Sequence, residues 1–274
     1  MILDKKPNEL LENFLQEYNR FYAIDIEHSR KLIKLQIKMG ADAPYQKFLV
    51  ENWYKSLKTS QPAFELYNHN QYFVDLWNCW VVYSRSYLKS LKKHNSLDQN
   101  RSIFSILFNI NNVADLGCGL AYTTASLKEI FPNANVYGTN LEETAQYKFC
   151  QFMAQKYNFK IVNHVDKLPK IDFLFASEYY EHIYDALDEL DFTINKISPR
   201  YFYIANSFNT ISYGHFESYK DKNCCGVIDQ KDISKKFNDL LKSRGYVKIK
   251  TKLWNNKPML WTNDQTTISL IHSK

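Results

Sequence analysis

Apolar residues return every three to four positions through the first hundred residues. They then give way to short apolar runs that alternate with helical stretches. In the first region Leu10, Leu11, Phe14, Leu15 and Tyr18 share one helix face, and Tyr45, Leu49, Trp53 and Leu57 share another after Pro44. Pro62 is placed to open a further segment. The strongest stripe covers 71–92 through Phe73, Leu76, Trp77, Trp80, Tyr87, Leu88 and Leu91. Lys89, Lys92 and Lys93 sit at its end, where cations suit the negative pole of a helix. The polar stretch 92–101 reads as a linker.

From there the period changes. Val113, Ala114 and Leu116 predict a buried strand, Gly117 and Gly119 a sharp turn, and 122–131 a helix that Pro132 stops. Further strands are predicted at 135–138, 160–165, 171–176 and 201–205. Helices are predicted at 142–157, with Ala145, Phe149, Phe152 and Met153 inward, and through Leu187, Leu190, Ile194 and Ile197 up to Pro199. A long aromatic and polar loop, 208–228, precedes a helix at 229–244 that Gly245 ends. Two more strands, 246–254 and one within 259–271, flank a turn at 255–258. Alternating strands and helices with short links imply a parallel sheet covered on both faces, and the last two strands add an antiparallel edge. The expected fold is α/β: a seven-stranded, mostly parallel, Rossmann-like sheet in residues 101–274, behind an N-terminal helical domain in residues 1–100. Ligands of such sheets bind at the carboxyl ends of the strands, where strand order reverses.

Composition narrows this only slightly. The chain has 274 residues, 45% of them hydrophobic and 16% aromatic, with few Gly and Pro, which suits a packed core and not disorder. The net charge of +6 permits phosphate-bearing partners, but no basic run stands out as a nucleic-acid footprint would. Five cysteines, at 79, 118, 150, 224 and 225, form neither a disulfide framework nor a zinc spacing, so no metal is expected. The first residues lack the apolar core of a signal peptide, and no apolar run is long enough to span a membrane. A reduced, cytoplasmic protein is the expectation.

The chemistry lies at four strand ends. Asp115-Leu-Gly-Cys-Gly119 places a carboxylate before a glycine turn and a helix start, where free N–H groups and bare backbone face a ligand. The G-x-G-x-x-G of a dinucleotide site is incomplete, because Ala121 and Tyr122 stand where the pattern needs glycine. Asp115 to Gly119 instead resembles motif I of the class I S-adenosylmethionine (SAM) dependent methyltransferases. Three further matches follow in order. Val136-Tyr-Gly-Thr-Asn140 ends the second strand where the family usually has a ribose-binding Asp or Glu. Val165-Asp-Lys-Leu-Pro169 resembles the Asp-x-Leu-Pro turn near adenine. Ala176-Ser-Glu-Tyr-Tyr-Glu-His-Ile183 resembles the family's Glu-His-Ile segment.

The resemblance covers 101–274 and implies a SAM cofactor. Its binding residues would be Asp115, Gly117, Cys118, Gly119, Asn140, Leu141, Asp166, Lys167 and Ser177, with Glu142 and Glu143 as substitutes near the ribose. It implies methyl transfer, in which the protein positions an acceptor in line and manages its proton. Glu178 and His182 are the candidates for that proton, with Glu181 and His215 as alternatives. The acceptor is expected to be a small or medium polar molecule methylated on N or O. The Pro-Pro motif of amino-methylating DNA enzymes and the Pro-Cys nucleophile of cytosine C5 enzymes are absent at this strand end. A DNA or RNA methyltransferase is the first alternative, and a non-catalytic SAM-fold binding subunit the second. Aminopropyl transfer from decarboxylated SAM is disfavoured, since it would leave Asp115 without an amine-and-carboxylate partner of the usual kind. The oligomeric state is not legible. The long loop 206–226 suits a lid or substrate loop.

Overall fold

The structure is a computed structural model, and it describes residues 2–59, 62–92, 106–222, 226–249 and 258–272. Most of the expected linker, the sixth strand beyond 249, the turn up to 257, and Cys224 and Cys225 lie outside the described residues.

The N-terminal region is helical, as the periodicity predicts. Helix α1 (Pro7–Tyr22) starts on a proline, whose fixed φ suits the first helical position, and buries Leu10, Leu11, Phe14, Leu15 and Tyr18. Helix α2 (Ile26–Met39), capped by Asp25 accepting from the His28 amide, is absent from the sequence reading. Its buried positions are Ser29, Ile33 and Gln36, so two of three are polar and the apolar period is hidden. The side-chain NH₂ of Gln36 donates to Gln46 Oε1, 2.7 Å away on helix α3 (Pro44–Leu57). The segment after Pro62 forms only a short 3-10 turn, Phe64–Asn68. The 71–92 stripe becomes α4 (Phe73–Cys79), a π-helical turn at Trp80–Ser84, and α5 (Arg85–Lys92). The π turn rotates the stripe, so that Trp80, Tyr83, Ser84 and Tyr87 line a cavity.

The rest alternates. The elements are β1 (Asn112–Leu116), α6 (Tyr122–Ile130), β2 (Asn135–Thr139), α7 (Tyr147–Tyr157), β3 (Lys160–Val162), β4 (Phe173–Ser177), α8 (Ala186–Ile197), β5 (Tyr201–Ala205), β6 (Ser218–Lys220), β7 (Val227–Asp229), α9 (Gln230–Ser243), β8 (Val247–Ile249), β9 (Met259–Thr262) and α10 (Gln265–His272). Seven strands form one sheet in the order β3-β2-β1-β4-β5-β9-β8. The first five run parallel, and β9 is antiparallel to both β5 and β8. This is the predicted seven-stranded, mostly parallel sheet. Chain order reverses between β1 and β4, whose registers pair Leu116 with Ala176. The carboxyl ends of β1, β2 and β4 therefore lie side by side, where a ligand crevice belongs.

The third strand ends at Val162 and not at 165, where a 3-10 turn over Val165–Lys167 has already begun. Three further boundaries differ from expectation. The last strand stops at Thr262, because Asp264 caps a helix there and accepts from the Thr267 amide at 2.8 Å. Helix α7 begins at Tyr147 and not at 142, because Asn68 takes the Ala145 amide at 2.9 Å and a turn precedes the helix. The loop 208–228 contains the antiparallel pair β6–β7.

The helical region and the sheet domain share one hydrophobic core. Phe14 of α1 stacks on Trp77 at 4.6 Å and meets Phe149 of α7 edge-on at 5.6 Å. Trp77 in turn meets Tyr122 of α6 at 5.2 Å. Each such side chain contributes ~1.5–3 kcal/mol by leaving water. The helices are thereby fixed over the strand ends.

Candidate active site

Between the strand ends and the N-terminal helices lies a cavity of about 1070 Å³. Its floor is the turn after β1. Asp115 is 2% exposed, and its Oδ2 accepts from the hydroxyls of Thr123 and Thr124 at 2.5 and 2.6 Å. Burial pushes its carboxyl up to about 7, against the smaller opposing effect of those two hydroxyls. Gly117 has φ +65° and donates its amide to the Thr139 hydroxyl at 2.9 Å. A Cβ here would stand 2.8 Å from the Tyr179 ring, so any side chain meets both backbone strain and a clash. Tyr179 cannot easily retreat, because its hydroxyl donates to Glu189 at 2.9 Å. Cys118 and Gly119 complete the turn and line the cavity. Ala121, with φ +60°, leads into α6 without a side-chain cap.

The second strand end differs in detail from the family pattern. Asn140 lines the cavity, but its amide NH₂ donates to the Gly119 carbonyl at 3.0 Å and lies 3.1 Å from the Cys150 sulfur. Its Oδ1 accepts from the Leu141 amide at 3.0 Å and retains a second lone pair. The amide thus braces the glycine turn, which a carboxylate could not do opposite a carbonyl. Leu141 and Glu143 line the cavity beside it.

Asp166 and Lys167 are not brought to the cavity. The chain after β3 folds into a 3-10 turn, Val165–Lys167. This turn directs the Asp166 carboxylate onto His164 at 3.0 Å and Lys167 at 3.5 Å. Asn163, His164 and Val165 line the cavity in their place.

The other end of the cavity is built from the β4 end, the 206–217 loop and the helical roof. Ser177 faces it, bonded to Ser84 of the roof at 3.1 Å. Glu178 follows with φ +54°, a costly conformation for a residue with a side chain, held by its N–H donating to the Ala205 carbonyl at 3.1 Å. His182 sits with Nδ1 3.1 Å from the Tyr67 hydroxyl. Glu181 turns away: it is fully buried and accepts from the Ser207 amide at 2.6 Å, anchoring the loop. His215 is buried, with Nδ1 donating to the Thr210 carbonyl at 2.8 Å, and its ring meets that of His182 edge-on at 4.9 Å. Burial depresses both imidazoles, His215 to about 4 and His182 well below its ordinary range, the latter helped by His215. Both are therefore neutral near pH 7. Gly214, at φ +80°, lets the loop press close: a Cβ there would lie 2.1 Å from His182 Nδ1.

Sequence reasoning placed Glu178, His182 and His215 among the candidates, and the structure brings them together. It missed the roof residues Tyr67 and Asp75. Asp75 is 9% exposed and lines the cavity, and burial raises its carboxyl to about 7. The available signal was a carboxylate inside the apolar run Phe73–Trp77.

No protein-family model matches the chain, and no curated protein does. Solved structures do. The chain is similar to precorrin-6y C5,15-methyltransferase from Geobacter metallireducens GS-15 at 16% identity, over 60% of this chain and 71% of that one, with a TM-score of 0.36. It is similar to an O-methyltransferase family protein from Burkholderia thailandensis at 10% identity, over 78% and 70%, with a TM-score of 0.47. It is also similar to PKMT2 from Rickettsia typhi, determined with AdoHcy, at 18% identity over 43% and 24%, with a TM-score of 0.31. The sheet order, with its antiparallel edge, is the Rossmann-like arrangement expected from the sequence. The reading of the site rests on its own geometry.

Proposed function

We propose that this chain is a cytoplasmic SAM-dependent methyltransferase acting on N or O of a small or medium polar acceptor, which the helical residues 1–100 cover. The observation that carries the reading is one cavity with two unlike ends. One end is a carboxylate-and-glycine turn, and the other is a cluster of proton-accepting groups around Glu178 and His182.

The cofactor end fits SAM on its own chemistry. Asp115 is buried, faces the cavity and has only hydroxyl partners in the described structure, so it suits the α-ammonium of a methionine moiety. The backbone of 117–119 is bare, and Asn140 Oδ1 and Glu143 supply acceptors for ribose hydroxyls. The cofactor supplies an electrophilic methyl on a sulfonium. The acceptor atom gives the electron pair of the new bond, the C–S pair returns to sulfur, and one proton leaves the acceptor. Neutral His182 and the Glu178 carboxylate are placed to take that proton. The roof limits the acceptor's approach.

A volume of about 1070 Å³ lies just above the ~300–1,000 Å³ typical of small-molecule sites, enough for a nucleoside cofactor and an acceptor together. The enclosing roof favours a small acceptor over a nucleic-acid strand. Among the described residues no helix is long and apolar enough to cross a membrane. The test is calorimetry with S-adenosylhomocysteine, followed by a mass-spectrometric screen of hydroxyl- and amine-bearing acceptors. Saturable binding and a product 14 Da heavier, the mass of one CH₂, are expected. Absence of binding overturns the reading.

A further inference from the structure

We infer that Glu178, His182 and His215 form a site for one first-row divalent cation at the acceptor end of the cavity. The three residues each offer one donor atom, and those atoms lie within 4.8 Å of one another. A shell of ~2.1 Å radius spaces its donors by about 3–4 Å, so small side-chain adjustments complete it. The residues come from separate places: Glu178 from the β4 end, His182 from the turn Tyr180–His182, and His215 from the loop beyond β5.

Independent features of the cluster point to a ligand. His215 is 1% exposed, and its Nδ1–H is committed to the Thr210 carbonyl. Among the described residues its buried Nε2 makes no hydrogen bond of ordinary length and angle, although the Ser207 backbone lies near the ring. A histidine with one ring N–H on a backbone carbonyl and the other nitrogen unspent has the arrangement of a metal ligand. The surroundings hold it still. Trp53 Nε1 donates to the His215 carbonyl at 2.6 Å, and Tyr67 stands 3.1 Å from His182 Nδ1. Gly214 has no side chain to keep the two histidines apart. Glu178 is kept in a left-handed conformation that few non-glycine residues adopt.

The donor set selects the ion. Two imidazoles and a carboxylate suit borderline cations such as zinc, manganese, iron(II) or cobalt, and not calcium or magnesium, which favour all-oxygen shells. Three protein ligands leave positions open for the acceptor. If the methyl-transfer reading holds, on which this role rests, the cation would bind the acceptor's oxygen or nitrogen and lower the cost of losing its proton to water, with Glu178 and His182 then serving as ligands and not as the proton's acceptors. Cation binding itself does not depend on that reading. The cysteine spacing gave no hint of it, because none of the three ligands is a cysteine.

Cobalt(II) is the probe. The chelator-treated 274-residue chain titrated with Co²⁺ should show visible d–d bands that saturate at one ion per chain and that Zn²⁺ abolishes, without thiolate charge-transfer bands. His215→Ala and Glu178→Gln should each weaken binding by at least ~100-fold, with circular dichroism confirming the fold. Glu178→Gln keeps the residue's volume and serves if His215→Ala does not fold. Wild-type affinity in the folded variants, or no bands in the wild type, overturns the inference. Calorimetry with S-adenosylhomocysteine on the same samples separates the two claims. S-adenosylhomocysteine binding without cobalt binding defeats the cation site alone, and cobalt binding without it defeats the methyltransferase reading alone.

Discussion

The floor of the cavity is made of backbone and its roof of side chains. The floor takes its shape from consecutive residues, 115–119, between a strand and a helix, and its polar groups are amides, carbonyls and one carboxylate. The roof draws Tyr67 and Asp75 from the N-terminal helices, and His215 from the loop beyond β5, more than a hundred residues later. A backbone-built surface tolerates almost no change in residue size. A side-chain-built surface can vary in chemistry while its frame stays in place. On the reading proposed here, the invariant ligand lies on the rigid floor and the variable one beneath the roof.

The largest test of that contrast is Gly117→Val. A left-handed backbone costs a residue with a side chain ~1–3 kcal/mol, and crowding the anchored Tyr179 ring adds ~1–3 kcal/mol more. Affinity for S-adenosylhomocysteine should fall by more than ~100-fold in calorimetry, because the turn itself must move. A near-normal affinity would show that the floor is not the ligand surface, and the contrast with the roof would disappear.

The same contrast explains what could be read from the sequence. A strand-end motif is contiguous, so Asp115, Gly117 and Gly119 are visible in one stretch of text, and the 3.6- and 2-residue periods locate the elements on either side. The roof is assembled by tertiary packing. Helix α2 escaped notice because Ser29 and Gln36 fill buried positions on the stripe that defines a helix, and their cost is offset by partners such as Gln46 that no local pattern shows. Asp166 carried the right letter at the right strand end. The 3-10 turn then aimed it at His164, and a one-turn difference in backbone path is not written in composition. Glu178, His182 and His215 were each named, but their convergence depends on Gly214 and on the Trp53 bond to the loop.

Asp115 and Asp75 give a finer comparison, one acid in the floor and one in the roof, both held near 7 by burial. For either carboxyl the folded protein retains its proton through a pH range in which the unfolded chain, with ordinary carboxylates, has lost it. The contribution of each of these two carboxyls to stability is therefore greatest at low pH, declines as pH rises from about 4 to about 7, and levels off above. Asp115→Asn and Asp75→Asn should each flatten that decline by up to about 1.4 kcal/mol per pH unit, measured by urea unfolding at stepped pH. Ligand binding should tell them apart. Asp115→Asn removes a charged partner of the ammonium and should cost roughly 10–100-fold in S-adenosylhomocysteine affinity, the equivalent of ~1.5–3 kcal/mol. In the wild type that affinity should also weaken as pH drops below 7, with a proton released on binding. Asp75→Asn should leave both unchanged. Equal losses in the two variants would mean that floor and roof serve one ligand.

The smallest effect expected is that of Tyr67→Phe, and it bears on the roof alone. The hydroxyl is 3.1 Å from His182 Nδ1 and the ring packs against Tyr72 and Tyr213. Removing one oxygen keeps the packing and deletes a hydrogen bond worth ~0.5–1.5 kcal/mol, so turnover of an accepted substrate should fall by roughly 3–10-fold. Cofactor affinity should not move, since Tyr67 has no bond to the 115–119 turn or to Asn140 among the described residues. The split between kcat and KM then reports what the hydroxyl does. A loss confined to kcat means that it orients His182 for a step in which the acceptor's charge is changing. A loss confined to KM means that it touches the acceptor in the ground state. A drop in cofactor affinity would couple the two ends of the cavity through β4, and the separation of floor from roof would fail at its nearest point of contact.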